Sequence, residues 1–153
     1  IPAVAFIGIF LPNLTVQGYG IASYAHSLLK QFKGEWEYDT NWKMINGHPK
    51  KAGWIKAIQE GQRKVRKGLH LDCPVLVMSS DKSYPETKEW HNEYLSSDIV
   101  LDVHDIQKYA PKLGEYVTRD TIPNGIHDLI LSEKESRDHT YRTVFDWMNR
   151  KGF

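Results

Sequence analysis

Apolar residues recur at helical spacing in four stretches of this chain. From Tyr19 to Phe32, the residues Ile21, Tyr24, Ala25, Leu28 and Phe32 fall three and four apart and predict a helix that Gly34 stops. "WIKAIQEGQRKVRKGL" places Ile55, Ile58, Val65 and Leu69 on one stripe, with Gln62 filling the remaining step and Lys56, Arg63, Lys64, Arg66 and Lys67 on the other faces. That is an amphipathic helix ending near Gly68. Asp102 can cap a third helix, in which Ile106, Tyr109, Ala110 and Leu113 sit at i, i+3, i+4 and i+7 ahead of Gly114. Ser132 and Glu135 form a capping box for a fourth, whose stripe is Tyr141, Val144, Phe145 and Met148.

Two other stretches have the character of strands. "CPVLVM", residues 73 to 78, is a continuous apolar run, the pattern of a strand covered on both faces in a parallel sheet. "EYVTRDTI", from Glu115 to Ile122, predicts a second strand, and a polar loop from Ser79 to Ser97 follows the first. The second half therefore spells strand, loop, helix, strand, loop, helix, which predicts an α/β fold with parallel pairing and a right-handed crossover. In such sheets ligands and reacting groups gather beyond the carboxyl ends of the strands. "EWEYDTNWKMINGHPKKAGW" has no clean period and is expected to be loop lying over a surface or a pocket.

The opening "IPAVAFIGIFLP" lacks the basic leader and cleavage site of a signal peptide, and at about 12 residues it is too short to span a bilayer. No integral membrane segment is expected, and an apolar start that needs covering is expected to be an internal point of a longer polypeptide. With 153 residues, 41% apolar and 25% charged, the composition is that of a globular domain. A net charge of +1 argues against a dedicated nucleic-acid binder. Cys73 is the single cysteine, so no intrachain disulfide or cysteine-based zinc cluster can form, and a reducing, cytoplasmic compartment is expected. Neither metal nor cofactor is called for: there is no HExxH, P-loop or G-x-G-x-x-G.

His127 holds the most pointed chemical placement. It follows the second strand, directly after the sharp reversal that Asn124-Gly125 provides, so a tight turn can fix the imidazole at the sheet edge. A histidine acting as general base needs a carboxylate to set its tautomer. Asp128 adjoins it and is expected to point elsewhere, while Asp102 is better used as a helix cap. Asp98, opening "DIVLDVHDIQKYA", is favoured, and Asp81, immediately after the first strand, stays a competitor. His26, His48, His70, His91, His104 and His139 show no ligand spacing, and Cys73 lies at the wrong end of its strand for a nucleophile. No G-x-S-x-G elbow occurs, so in a hydrolase the nucleophilic serine would not be on this chain.

"DCPVLVMSSDKS", "SSDIVLDVHDIQKYAPKLG", "IPNGIHDLILSE" and "FDWM" together resemble the carboxyl-terminal portion of α/β-hydrolases of the serine aminopeptidase S33 type, the group that includes lysophospholipase and monoacylglycerol lipase-like enzymes. "GEWEYDTNWK", "GHPKKAGWIKAI" and "RKVRKGL" are similar to the cap of bacterial members. The resemblance implies a mostly helical cap over residues 1–70 and an α/β-hydrolase core portion over 71–153. It implies an esterase or lysophospholipase-like serine hydrolase acting on an acyl ester or lipid-like substrate, with the acid after the seventh strand at Asp98 and the base after the eighth at His127. The insertion "KSYPETKEWHNEYLSS" departs from the shorter acid loop of the family and keeps Asp81 in play. Trp36, Trp42 and Trp54 would line an acyl pocket in the cap, or serve ordinary packing. The missing amino-terminal half would be a partner of this fragment, which alone would be inactive and, with unpaired strand edges, inclined to self-associate. Two other readings remain: a non-catalytic binding or assembly module on a hydrolase scaffold, and a peripheral lipid-binding protein that uses the basic helix.

Overall fold

The computed structural model describes residues 2–152, and it is mixed α/β with one parallel strand pair. The apolar opening forms a helix, α1 (Pro2–Phe10). It packs against the start of α3 (Ala52–Lys67) at Gly8, where a Cβ would stand 2.5 Å from the Ala52 carbonyl oxygen. Between them run β1 (Thr15–Gln17), α2 (Ser23–Leu28) and β2 (Lys50–Lys51), with β1 and β2 pairing antiparallel. Pro12 and Leu14 present their carbonyls to the amides of Gly53 and Ala52, which satisfies two of the free donors at the start of α3.

The helix anticipated over 19–32 is shorter, because the chain doubles back on it. Trp36 donates its amide to the Leu28 carbonyl at 2.8 Å, and Gly34 lies so close that a Cβ would stand 2.1 Å from that carbonyl. Only a glycine fits there, and the returning segment takes the hydrogen bond that another helical turn would need. Ala25 and Leu28 are buried as the spacing predicts, whereas Ile21 and Phe32 are exposed.

β3 (Val75–Ser80) and β4 (Val117–Ile122) pair in parallel from Val75↔Val117 to Ser80↔Ile122, and α4 (Val103–Tyr109) lies on the crossover between them. Asp102 caps α4 as anticipated, accepting from the His104 amide at 2.9 Å. The inserted loop is folded around its own centre. Tyr94 is fully buried among the rings of Tyr84, Trp90 and His91, and its hydroxyl accepts from the Thr87 amide at 2.8 Å.

α5 (Lys134–Lys151) departs from expectation twice. The capping box does not form, because the Ser132 hydroxyl accepts instead from the Ile126 amide, 3.0 Å away in the loop after β4. The buried face is Ser136 and Thr140, with Trp147 donating to Thr118 on β4 at 3.0 Å. Small hydroxyl side chains let the helix approach the loop closely; Ser136 bonds the Pro123 carbonyl at 2.7 Å. The stripe Tyr141, Phe145 and Met148 faces outward in consequence, with Phe145 58% exposed.

Candidate active site

The loop after β4 is fixed before it reaches His127. Asn124 takes a left-handed conformation (φ 54°), which asparagine tolerates better than most residues. Gly125, next to it, is buried, and a Cβ there would stand 2.7 Å from a Leu129 methyl. Asp81 accepts the Asn124 amide at 2.9 Å, Lys82 bonds the Asn124 side chain at 3.0 Å, and Ser132 holds Ile126. The sequence thus spends four polar side chains on one reversal, and the imidazole leaves it in a set direction.

The acid loop is pinned as firmly. The Asp98 amide donates to the Lys82 carbonyl and its carbonyl accepts from Tyr84, each at 3.0 Å, so the start of the insertion runs beside Asp98 as a short parallel bridge. One carboxylate oxygen accepts from the amides of Val100 and Leu101, both at 2.8 Å. The other lies 3.0 Å from His127 Nδ1. Asp98 is 2% exposed, so its carboxylate is a buried anion with three donors around it.

The electrostatics of the pair follow from those bonds. Burial works to raise the Asp98 carboxyl, but the bonds from His127 and the two amides outweigh it and hold the group below its ordinary value. The hydrogen bond to Asp98 raises the His127 imidazole above its ordinary value, against the opposing effect of burial. An ionised carboxylate only accepts, so Nδ1 carries the proton and Nε2 is the basic nitrogen of the neutral ring. Nε2 has no hydrogen-bond partner among the described residues.

A second constellation, which sequence reasoning missed, braces the far side of the ring. Tyr24 of α2 stands edge-on to His127, with centroids 5.9 Å apart. Its hydroxyl donates to an Asp128 carboxylate oxygen at 2.7 Å and accepts the Asp128 amide at 3.1 Å. Lys43 reaches the same carboxylate oxygen at 3.1 Å, with its ammonium 5.1 Å from the centre of the Tyr24 ring. Burial, then the bond to Asp128, pushes the Tyr24 hydroxyl far above its usual range and keeps it protonated. Burial opposes ionisation of Asp128, yet the Tyr24 and Lys43 bonds prevail and hold its carboxyl low. The one available signal was the position of Tyr24 on the inward face of its helix, since a half-buried phenol needs a partner.

A cavity of about 430 Å³ adjoins this arrangement, sharing Tyr24 and Lys43 with one side and Val100 with the other. Ile21, Trp42, Met44 and Ile99 supply apolar wall, and Glu86 and Lys50 supply charge. Of the three tryptophans singled out from sequence, Trp42 alone lines it. Trp36 lies elsewhere: its indole donates to the Leu131 carbonyl at 2.7 Å under the Arg137 guanidinium, and it lines a separate cavity of about 330 Å³. Trp54 stands exposed on α3. Asp98 and His127 are together, and Asp81 is not in contact with the imidazole but with the turn that carries it. No cluster of metal-ligand type occurs among the described residues. No family model, curated protein or solved structure is significantly similar to the chain.

Proposed function

We propose that these residues form the cap and carboxyl-terminal α/β-hydrolase portion of a cytoplasmic serine hydrolase that cleaves an ester or related acyl bond, with the nucleophilic serine supplied from outside them. The observation that carries the reading is the Asp98–His127 hydrogen bond at the carboxyl-end rim of a parallel pair, with the second ring nitrogen unpartnered. His127 Nε2 takes the proton of the serine hydroxyl as its oxygen attacks the acyl carbon. Asp98 fixes the tautomer and stabilises the imidazolium that results. The same proton passes to the leaving alkoxide, and a water molecule deprotonated by His127 then releases the acid and regenerates the serine. The apolar wall of Ile21, Trp42 and Met44 is suited to an acyl chain.

The test is fluorophosphonate labelling of the full-length polypeptide that carries these residues, wild type against His127→Ala. Labelling of a serine outside them should fall by about two to four orders of magnitude in the variant, the usual contribution of a general base. Equal labelling of both forms, with the variant folded, would end the assignment of His127 as the base, and labelling of neither form would leave a binding module as the better reading.

A further inference from the structure

α1 is apolar on every side, and one side of it is open. Gly8 faces α3, leaving Phe6 and Phe10, one turn apart with ring centroids 5.6 Å from each other, 64% and 69% exposed. Ile9 and Leu11 are exposed beside them. α3, the helix that α1 rides on, carries five cations (Lys56, Arg63, Lys64, Arg66 and Lys67) against a single anion, Glu60, in a molecule whose net charge is only +1. Lys56 pairs with Glu60 at 2.7 Å, so the excess lies in the last two turns. The two helices meet along an open groove of about 770 Å³ that has Phe6, Ile9 and Ile58 on its walls and Arg63 and Arg66 at its rim. Exposed aromatic and aliphatic side chains next to Arg63 and Arg66 give this groove two chemistries, with Lys64 and Lys67 exposed on the same last turns of α3.

We infer that the α1–α3 face docks on an anionic lipid surface, with Phe6 and Phe10 entering the headgroup layer and Arg63, Lys64 and Lys67 meeting lipid phosphates. The charge selects this occupant. A second copy would bring the same cations face to face, whereas an acidic bilayer complements them and accepts apolar side chains beneath its headgroups. α1 has nine residues, about 14 Å of helix, so it lies along an interface and does not cross a hydrocarbon core of about 30 Å. Among the described residues no helix is long and apolar enough to span. This inference needs no catalysis to test, and loss of vesicle binding in the longer polypeptide of the hydrolase reading, with Phe6 and Phe10 covered by its other residues, would overturn it.

The experiment is co-sedimentation of the full chain with vesicles of phosphatidylcholine alone and of phosphatidylcholine mixed with phosphatidylglycerol, at low and high salt. Binding should require phosphatidylglycerol and weaken with salt. Arg63→Glu with Lys64→Glu should lower the partition by roughly thirtyfold or more, and Phe6→Ser with Phe10→Ser by at least about tenfold. All four positions are exposed, and far-UV circular dichroism checks that each variant keeps its helices. Equal binding to both vesicle types, no binding to either, or wild-type binding by both folded variants overturns the inference. So does concentration-dependent self-association that consumes the face and is abolished by the phenylalanine substitutions.

Discussion

Two carboxylates near His127 have separable tasks. Asp98 bonds the imidazole itself, and Asp81 bonds the amide of Asn124 in the turn beneath it. Asp98→Asn removes the main cause of the raised imidazole, so the NMR titration midpoint of His127, expected above its ordinary value of about 6.5, should fall, and hydrolysis by the full-length protein should drop steeply, on the order of 10⁴-fold in the serine-protease triad. Asp81→Asn should leave that midpoint nearly in place and loosen the turn. A midpoint that moves with Asp81 and stays put in Asp98→Asn would reverse the assignment. Tyr24→Phe isolates the brace on the other side: the edge-on ring is kept, while the Asp128 carboxylate loses a donor and the Asp128 amide its acceptor. Leaving those half-buried groups unpaired should destabilise the chain by about 1–3 kcal/mol, read by thermal melting. A melting temperature equal to wild type would show that water replaces the hydroxyl without loss.

The elements repeat a distinction between local and long-range causes. α4 can be tested simply: Asp102→Ala removes a side-chain cap from an exposed helix start and should cost about 1 kcal/mol in denaturant unfolding, with an unchanged midpoint showing that the amide of His104 is served otherwise. That cap was legible because everything it uses lies within two residues. The glycine stop of α3 was legible for the same reason, although its apolar stripe is only partly covered, with Ile58 and Leu69 exposed, and β3 and β4 were displaced from the expected spans by only two residues at an end. α5 was not. Its apolar stripe is real in the sequence, but the face it buries was chosen by Pro123 and Thr118, partners that periodicity cannot see. Ser132 likewise reads as an N-cap until the amide of Ile126, six residues upstream, claims its oxygen. The candidate site divides in the same way. His127 stood out because an Asn-Gly turn is a local signal, whereas choosing Asp98 over Asp81 depended on which loop lies against which, and Tyr24 and Lys43 come from a segment more than eighty residues away.

For the molecule as a whole, composition averages away what position concentrates. A net charge of +1 hides the basic end of α3, and it also hides a set of ionisations that couple folding to pH at both ends of the range. Asp98 and Asp128 are held low in the fold, so their contribution to stability is present above the unfolded value of about 3.9 and is lost as pH falls through their folded values. His127 is held high, so its contribution is present below about 6.5 and is lost as pH rises through its folded value. Melting temperature should therefore be highest between roughly pH 4 and pH 6.5 and decline on both sides. The two flanks have different owners. His127→Ala should abolish much of the alkaline decline yet keep an acid one, because Asp128 retains Tyr24 and Lys43 and Asp98 retains its two amide donors. Lys43→Ala should instead weaken the acid flank and leave the alkaline flank in place. If His127→Ala melts with an undiminished decline above pH 6.5, the imidazole is not bound to a carboxylate in the folded chain, and the geometry on which the proposed chemistry stands is lost with it.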